Sequence, residues 1–404
     1  MQTDVSVELF GHKLSNPVML ASGEMGNSGA RLKELALAGA GAVVTKTISP
    51  IKRPLGKPVS PRMWADAELG TYVRVSGQNP FTPDEWCDRE IAIARAGGVP
   101  VVPNVGALLW TRGATSWPIA EIISVCERLK DAGAAWIECH EGHPHDAADR
   151  EQWVDFATSR VRELKQAVDI PIVVKPAYRY AKDMVEACLR LEDAGVDGLV
   201  VGHGIEACQI DVNTGRMIAG IANFDMNMSG RGSFSAWLRH IVEVCHKVRI
   251  PVIGAHGVFT GRDVVEQVMA GAVCSQALSS IMIHGSRYFR RMAQEVDRFL
   301  AEHKYQSLSD VRGLALRPEH VERTTSFVAQ VDPDRCNGCG KCSIACTGST
   351  LAFEQAERGW LGPRIVVNTA TMLAEVNQDL CEGCQACVSI CPDRAIRLRG
   401  WPPL

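Results

Sequence analysis

The chain has 404 residues, 46% hydrophobic and 22% charged, with a formal net charge of −3. The length suggests two or three domains, and the composition is that of a globular protein. There is no basic field for nucleic acid, and no apolar run is long enough for a membrane span. The opening residues Met1-Gln-Thr-Asp-Val-Ser-Val-Glu8 lack a basic and an apolar region of the secretory kind. A cytoplasmic, reducing location is therefore expected.

Taken in order, the chain starts with a small hairpin, Val5–Leu9 and Lys13–Asn16, turning at Gly11-His12. Eight short apolar runs follow, at Val18–Ala21, Ala42–Thr45, Val101–Val105, Ala135–His140, Ile170–Lys175, Gly198–His203, Pro251–Ala255 and Ala272–Ala277. They alternate only weakly, as strands buried on both faces of a parallel sheet do. Helical periodicity lies between them, at Arg31–Ala38, Ile119–Ala132, Gln152–Val168, Ala181–Ala194, Phe234–Val248, Gly261–Ala270 and Ser286–His303. Several of these helices end in Ala-Gly directly before a strand (Gly39, Gly133, Gly195, Gly271), where glycine closes a helix C-terminus. Eight strand–helix units without a G-x-G-x-x-G after the first strand predict an α/β fold, a (β/α)8 TIM barrel over residues 1–310. Residues 311–330 read as a linker, and 331–404 as a small α+β ferredoxin-like domain in which Met372–Asn377 and Leu351–Gln355 form or flank a sheet.

The last quarter carries the most specific signal. It reads Cys336-x2-Cys339-x2-Cys342-x3-Cys346, and later Cys381-x2-Cys384-x2-Cys387-x3-Cys391-Pro392. Each run has the spacing that holds a [4Fe–4S] cluster, with the fourth cysteine ligating the other cluster. One cluster is thus assigned to Cys336, Cys339, Cys342 and Cys391, and the other to Cys381, Cys384, Cys387 and Cys346. Disulfides do not suit a reducing compartment, and structural zinc takes paired C-x2-C units rather than three cysteines and a fourth. The other seven of the fifteen cysteines sit in apolar contexts and read as inert core.

In such a barrel the chemistry lies at the C-terminal strand ends. Two strands end in lysine, Lys46 and Lys175, and a lysine there can face the N1–C2=O end of a flavin. Gly254-Ala-His256-Gly257 follows strand seven, where barrels bind a phosphate through backbone N–H groups.

Ala21-Ser22-Gly23, Thr45-Lys46-Thr47, Val174-Lys175-Pro176, and the Gly254–Gly257 loop with Gly271-Ala-x-x-x-Gln276 resemble the FMN-binding barrel of dihydroorotate and dihydropyrimidine dehydrogenases. The order of barrel and double-cluster module resembles the catalytic subunit of NAD-dependent dihydropyrimidine dehydrogenase. The resemblance implies FMN at the barrel mouth beside Ala21, Ser22, Lys46, Lys175, Gly230, Gly254, Gly257, Gln276 and Ala277. It implies a CH–CH oxidoreductase fed through the clusters by an NAD(P)H-dependent flavoprotein or another electron donor. It also implies a small-molecule substrate and an oligomer.

This chain departs from the family where substrate binds. In place of Asn-x-Ser-Cys-Pro after strand four it has His140-Glu141-Gly142-His143-Pro144, and residues 145–152 contain neither the cysteine nor the serine of the family's acid–base loop. The asparagine after strand six is replaced by His203-Gly204, and a third, before strand three, reads as lost within Tyr72–Asn79. The expected substrate is therefore one that pyrimidine-reading amides would not suit. His140, His143, His145 and His203 become candidates for the proton donor. Joined by His256 and flanked by Glu138 and Glu141, they could instead bind a metal in a metal-dependent barrel enzyme. A third reading is a non-catalytic electron-transfer subunit.

Overall fold

The computed structural model describes residues 3–49, 62–66, 70–75, 79–108, 117–141, 147–176, 183–219, 226–318, 327–346 and 364–399. At 62–66, 72–75, 107–108, 140–141, 147–153, 206, 209, 217–219 and 226 only the backbone is described. The chain divides into two compact units, Met1–His320 and Val321–Leu404.

In the first unit eight parallel strands alternate with helices. They are β1 (Val18–Leu20), β2 (Ala42–Val44), β3 (Val101–Val102, continuing as Asn104–Leu108), β4 (Ile137–Glu141), β5 (Ile172–Lys175), β6 (Gly198–Val201), β7 (Val252–Ala255) and β8 (Cys274–Ala277). The sheet runs β3-β2-β1-β8-β7-β6-β5-β4-β3. Its two ends are successive segments of one strand, so the sheet closes into a (β/α)8 barrel. Every residue of β1, β2, β5, β6, β7 and β8 is buried, which is why these runs are apolar without strict alternation.

The helices include Gly29–Leu37, Ile119–Asp131, Ala147–Ala167, Met184–Asp193, Phe234–Cys245, Gly261–Met269 and Tyr288–Glu302. Gly39, Gly133, Gly195 and Gly271 all have positive φ, the left-handed turn that sends the chain into the next strand. A helical run from Pro83 to Arg95, with a π-type turn at Trp86–Glu90, joins the list. The Thr82/Glu85 capping box that starts it is a sequence-level signal. Buried thiols line the packing: burial pushes Cys126 and Cys274 up to about 12, which keeps them protonated and inert.

The hairpin Val7–Leu9/His12–Leu14 covers the N-terminal end of the barrel. The Phe10 ring lies 5.5 Å from that of Trp136, which precedes β4, and sits against Gly198 at the start of β6. At the other end, excursions after β2 and β6 meet in a four-stranded antiparallel sheet of Ile205–Glu206, Met226–Gly230, Thr71–Val75 and Arg62–Asp66. Met226–Gly230 in this sheet has Asn227 and Ser229 buried.

Leu308 and Val311 are buried in the barrel core. In the second unit β9 (Val328–Val331) pairs with β12 (Ile396–Arg399), and β10 (Ile365–Asn368) with β11 (Leu373–Val376), all antiparallel. The partner of Leu373–Val376 is thus β10, while Leu351–Gln355 lies outside the described residues. Two short helices, Lys341–Ala345 and Ala386–Ile390, carry the third cysteine of each run, Cys342 and Cys387.

Candidate functional site

The eight cysteines gather into two cages. Cys336, Cys339, Cys342 and Cys391 line one pocket, and Cys346, Cys381, Cys384 and Cys387 line another. Each cage takes three thiols from one run and the fourth from the other, so the cages interlock. Backbone N–H groups aim at the sulfurs: Ala374 donates to Cys336 Sγ (3.4 Å), Ala329 to Cys381 Sγ (3.2 Å) and Ala395 to Cys391 Sγ (3.2 Å). Such bonds stabilise charge on a cluster and tune its potential. Burial first, and then the neighbouring cysteines, push the Cys387 thiol up to about 11. A cage of this kind suits four thiols sharing their negative charge with iron.

The turns that open the cages depend on Gly338 and Gly383, both left-handed (φ 69 and 66). A Cβ at Gly338 would collide with the Met372 carbonyl oxygen, and one at Gly383 with that of Phe327. Gly338→Ala or Gly383→Ala is expected to cost at least one cluster, seen as iron falling to about half of the roughly eight atoms per chain that two clusters require. Full iron content in both variants would show that these turns do not shape the cages.

In the barrel the strand-end lysines are buried and tethered. Lys46 Nζ lies 3.1 Å from Glu24 Oε1, with both side chains 11% exposed. Lys175 Nζ donates to Gln276 Oε1 at 3.0 Å. Gln276 Nε2 donates to Glu138 Oε2 at 2.6 Å, and Glu138 Oε1 accepts from Asn104 Nδ2 at 2.8 Å. Asn79 lies beside Lys46: its amide donates to the Lys46 carbonyl at 2.9 Å and accepts from Trp86 Nε1.

The other predicted residues ring the same C-terminal strand ends. The buried Ala21 donates its N–H to the Ala277 carbonyl at 3.0 Å. Ser22 is half-buried beside Ala21. Gly230 ends its strand with φ 146, and its carbonyl accepts from Ser233 Oγ. Ser229 and Ser279 hydroxyls meet at 2.8 Å. Gly254 lies inside β7, and His256 and Gly257 after it are both left-handed, at φ 77 and 71.

The histidines divide. His143 and His145 lie outside the described residues, and His140, whose side chain is not described, is paired in register with Lys175. The half-buried His203 places Nδ1 3.2 Å from the Gly204 carbonyl. His256 turns its ring to Trp237, 5.8 Å away, among the barrel helices. Among the described residues no three His, Cys, Asp or Glu side chains come together as ligands of a single metal ion. Glu138, read from sequence as a possible metal ligand, is bonded to two amides instead. Glu24, Asn104, Ser229 and Ser279 escaped the sequence reading. For Asn104 and Glu138 the signal was there: polar residues interrupting runs too apolar for solvent.

These groups suit FMN. Lys46 and Lys175 are two buried ammonium groups, the kind of positive charge that stabilises anionic reduced flavin. The left-handed turn at His256-Gly257 and the paired hydroxyls of Ser229 and Ser279 are short donors of the kind a phosphate takes at the end of such a barrel. A closed barrel with this mouth, carried with two four-cysteine cages, defines an iron–sulfur flavoprotein. The dihydroorotate dehydrogenase family matches residues 4–300, and 4Fe-4S binding domains match 328–351 and 374–397. The chain belongs to the dihydroorotate dehydrogenase family, and it is an oxidoreductase with FMN and two [4Fe–4S] clusters as cofactors.

Its relatives include proteins named dihydroorotate dehydrogenase B (NAD(+)), catalytic subunit. That of Methanocaldococcus jannaschii is 28% identical over 312 residues, covering 77% of this chain and 98% of the relative. That of Methanocella arvoryzae is 31% identical over 310 residues (76% and 96%), and that of Pyrococcus abyssi 28% over 324 (78% and 99%). About three quarters of this chain thus spans nearly the whole of each relative. No helix among the described residues is long and apolar enough to cross a membrane.

Proposed function

We propose that this chain reduces, or in reverse forms, a polarised C=C bond of a small unsaturated substrate other than the standard pyrimidine ring. In this reading electrons reach it through the two clusters from an NAD(P)H-dependent flavoprotein partner. The observation that carries it is the pair of interlocked cysteine cages in a chain whose barrel belongs to the dihydroorotate dehydrogenase family. The relatives' names support the partner: they are catalytic subunits of NAD(+)-dependent enzymes.

Bound FMN supplies two-electron chemistry at the C–C bond and one-electron exchange with iron–sulfur centres. Lys46 and Lys175, with Ala21, Ser22, Gln276 and Ala277, would hold its ring. Gly230, Gly254 and Gly257 let the backbone approach its phosphate. Cys336, Cys339, Cys342 and Cys391 ligate one cluster, and Cys381, Cys384, Cys387 and Cys346 the other. His143 or His145 gives the substrate its proton, with His140 and His203 the next candidates. A histidine suits that task near neutral pH.

The test is reoxidation of the anaerobically reduced protein by a panel of small unsaturated acids, amides and lactams. Rapid reoxidation by one class, with orotate and uracil slow, is expected. Orotate as the fastest acceptor would return the substrate to that in the relatives' names. Reoxidation by none would favour a non-catalytic electron-transfer subunit.

A further inference from the structure

One buried carboxylate is left without a task by that reading. Glu138 on β4 is fully buried, as is Asn104 on β3, and Lys175 and Gln276 are 7% and 1% exposed. Asn104 and Glu138 are register partners on adjacent strands. Gln276 is not a neighbour of either β4 or β5, because β8 lies between β7 and β1. Its side chain crosses the barrel interior to reach Glu138 and Lys175 together.

The bridge has only one workable polarity. An ammonium donates and cannot accept, so Lys175 requires the amide oxygen of Gln276. The amide nitrogen then points at Glu138, whose other oxygen accepts from the Asn104 amide. Both oxygens face N–H donors, the arrangement of a carboxylate rather than a carboxylic acid. A buried charge needs a counter-charge, and Lys175 stands at the far end of the amide.

Resting on the reading that Lys175 faces the FMN ring, we propose that Glu138 is a positioning residue for the flavin. Through Gln276 it fixes the Lys175 ammonium and offsets part of its charge, and so holds the FMN midpoint potential below what an uncompensated lysine would set.

The test is Glu138→Gln in the full-length, cluster-loaded protein, with the FMN potential measured by equilibrium dye titration. The new amide can still accept from Gln276. Asn104 can turn to accept from it, since Asn104 Oδ1 has no partner among the described residues. The bridge is thus kept while its charge is removed. The expected result is at least a tenfold shift toward reduced flavin, about 30 mV for a two-electron couple, with FMN and iron contents unchanged. In a Lys175→Met background the same change is expected to have a much smaller effect, because the ammonium that Glu138 fixes and offsets through Gln276 is gone. If Glu138→Gln does not fold, the near-isosteric Gln276→Met breaks the same bridge and should also raise the potential.

An unchanged or lowered potential, or an equal shift in the Lys175→Met background, would overturn the proposal. Wild-type protein that binds no FMN would instead overturn the reading of the barrel mouth on which it rests.

Discussion

Replacing Cys387 by serine is expected to cut the chain's electron path while sparing its flavin. Cys387 is buried in the small core of the second unit with Ala329, Cys342, Ile365, Ala374, Ile396 and Leu398. Its cage takes Cys346 from the first run, so damage to one run reaches a cluster held largely by the other. A serine oxygen is a harder and shorter ligand than a thiolate, and its hydroxyl leaves a small packing defect. Iron should fall to about half. Turnover supported by a cluster-reducing donor should drop by roughly 10²-fold or more, the scale on which losing a required group costs an enzyme. FMN content should stay at wild-type level, because the flavin groups belong to the other unit. Turnover at the wild-type rate with half the iron would mean that this cluster lies off the electron path.

The second large effect belongs to the proton. His143→Gln, His145→Gln or both should lower turnover by roughly 10²–10⁴-fold, the usual contribution of general acid catalysis, with FMN binding and reduction by the clusters intact. Glutamine keeps a hydrogen-bonding side chain of similar reach but cannot transfer a proton near neutral pH. The distinguishing observation is a single-turnover experiment. Reduction of the flavin should proceed at the wild-type rate, and only its reoxidation by substrate should slow. Unchanged reoxidation in both variants would move the donor to His140 or His203.

What the sequence disclosed and what it hid have separate physical causes. The cysteine runs, the strand-end lysines and the Ala-Gly helix ends are local signals, and each rests on geometry over a few residues. The barrel follows from eight apolar runs alternating with helical periodicity. The Glu138–Gln276 bond is different in kind: it joins residues 138 positions apart and exists only once the barrel closes. The same holds for the pairing of Thr71–Val75 with Met226–Gly230, whose Met-Asn-Met-Ser-Gly sequence carries little strand propensity of its own. Asn79 is another residue placed by long-range contacts. Its partners, Lys46 and Trp86, are visible only in three dimensions. His256 is placed the same way: it follows β7 in a left-handed conformation, with its ring 5.8 Å from that of Trp237.

The central claim is that one chain holds a flavin that collects electrons in pairs and two clusters that pass them singly. Anaerobic reductive titration of the reconstituted protein, followed by absorbance and electron paramagnetic resonance, tests it most directly. About four electrons per chain are predicted, two entering the flavin and one each cluster, with both cluster signals appearing. Uptake of about two electrons with no bleaching of a flavin band, or a flavin that fills while the clusters stay oxidised at every potential, would contradict it.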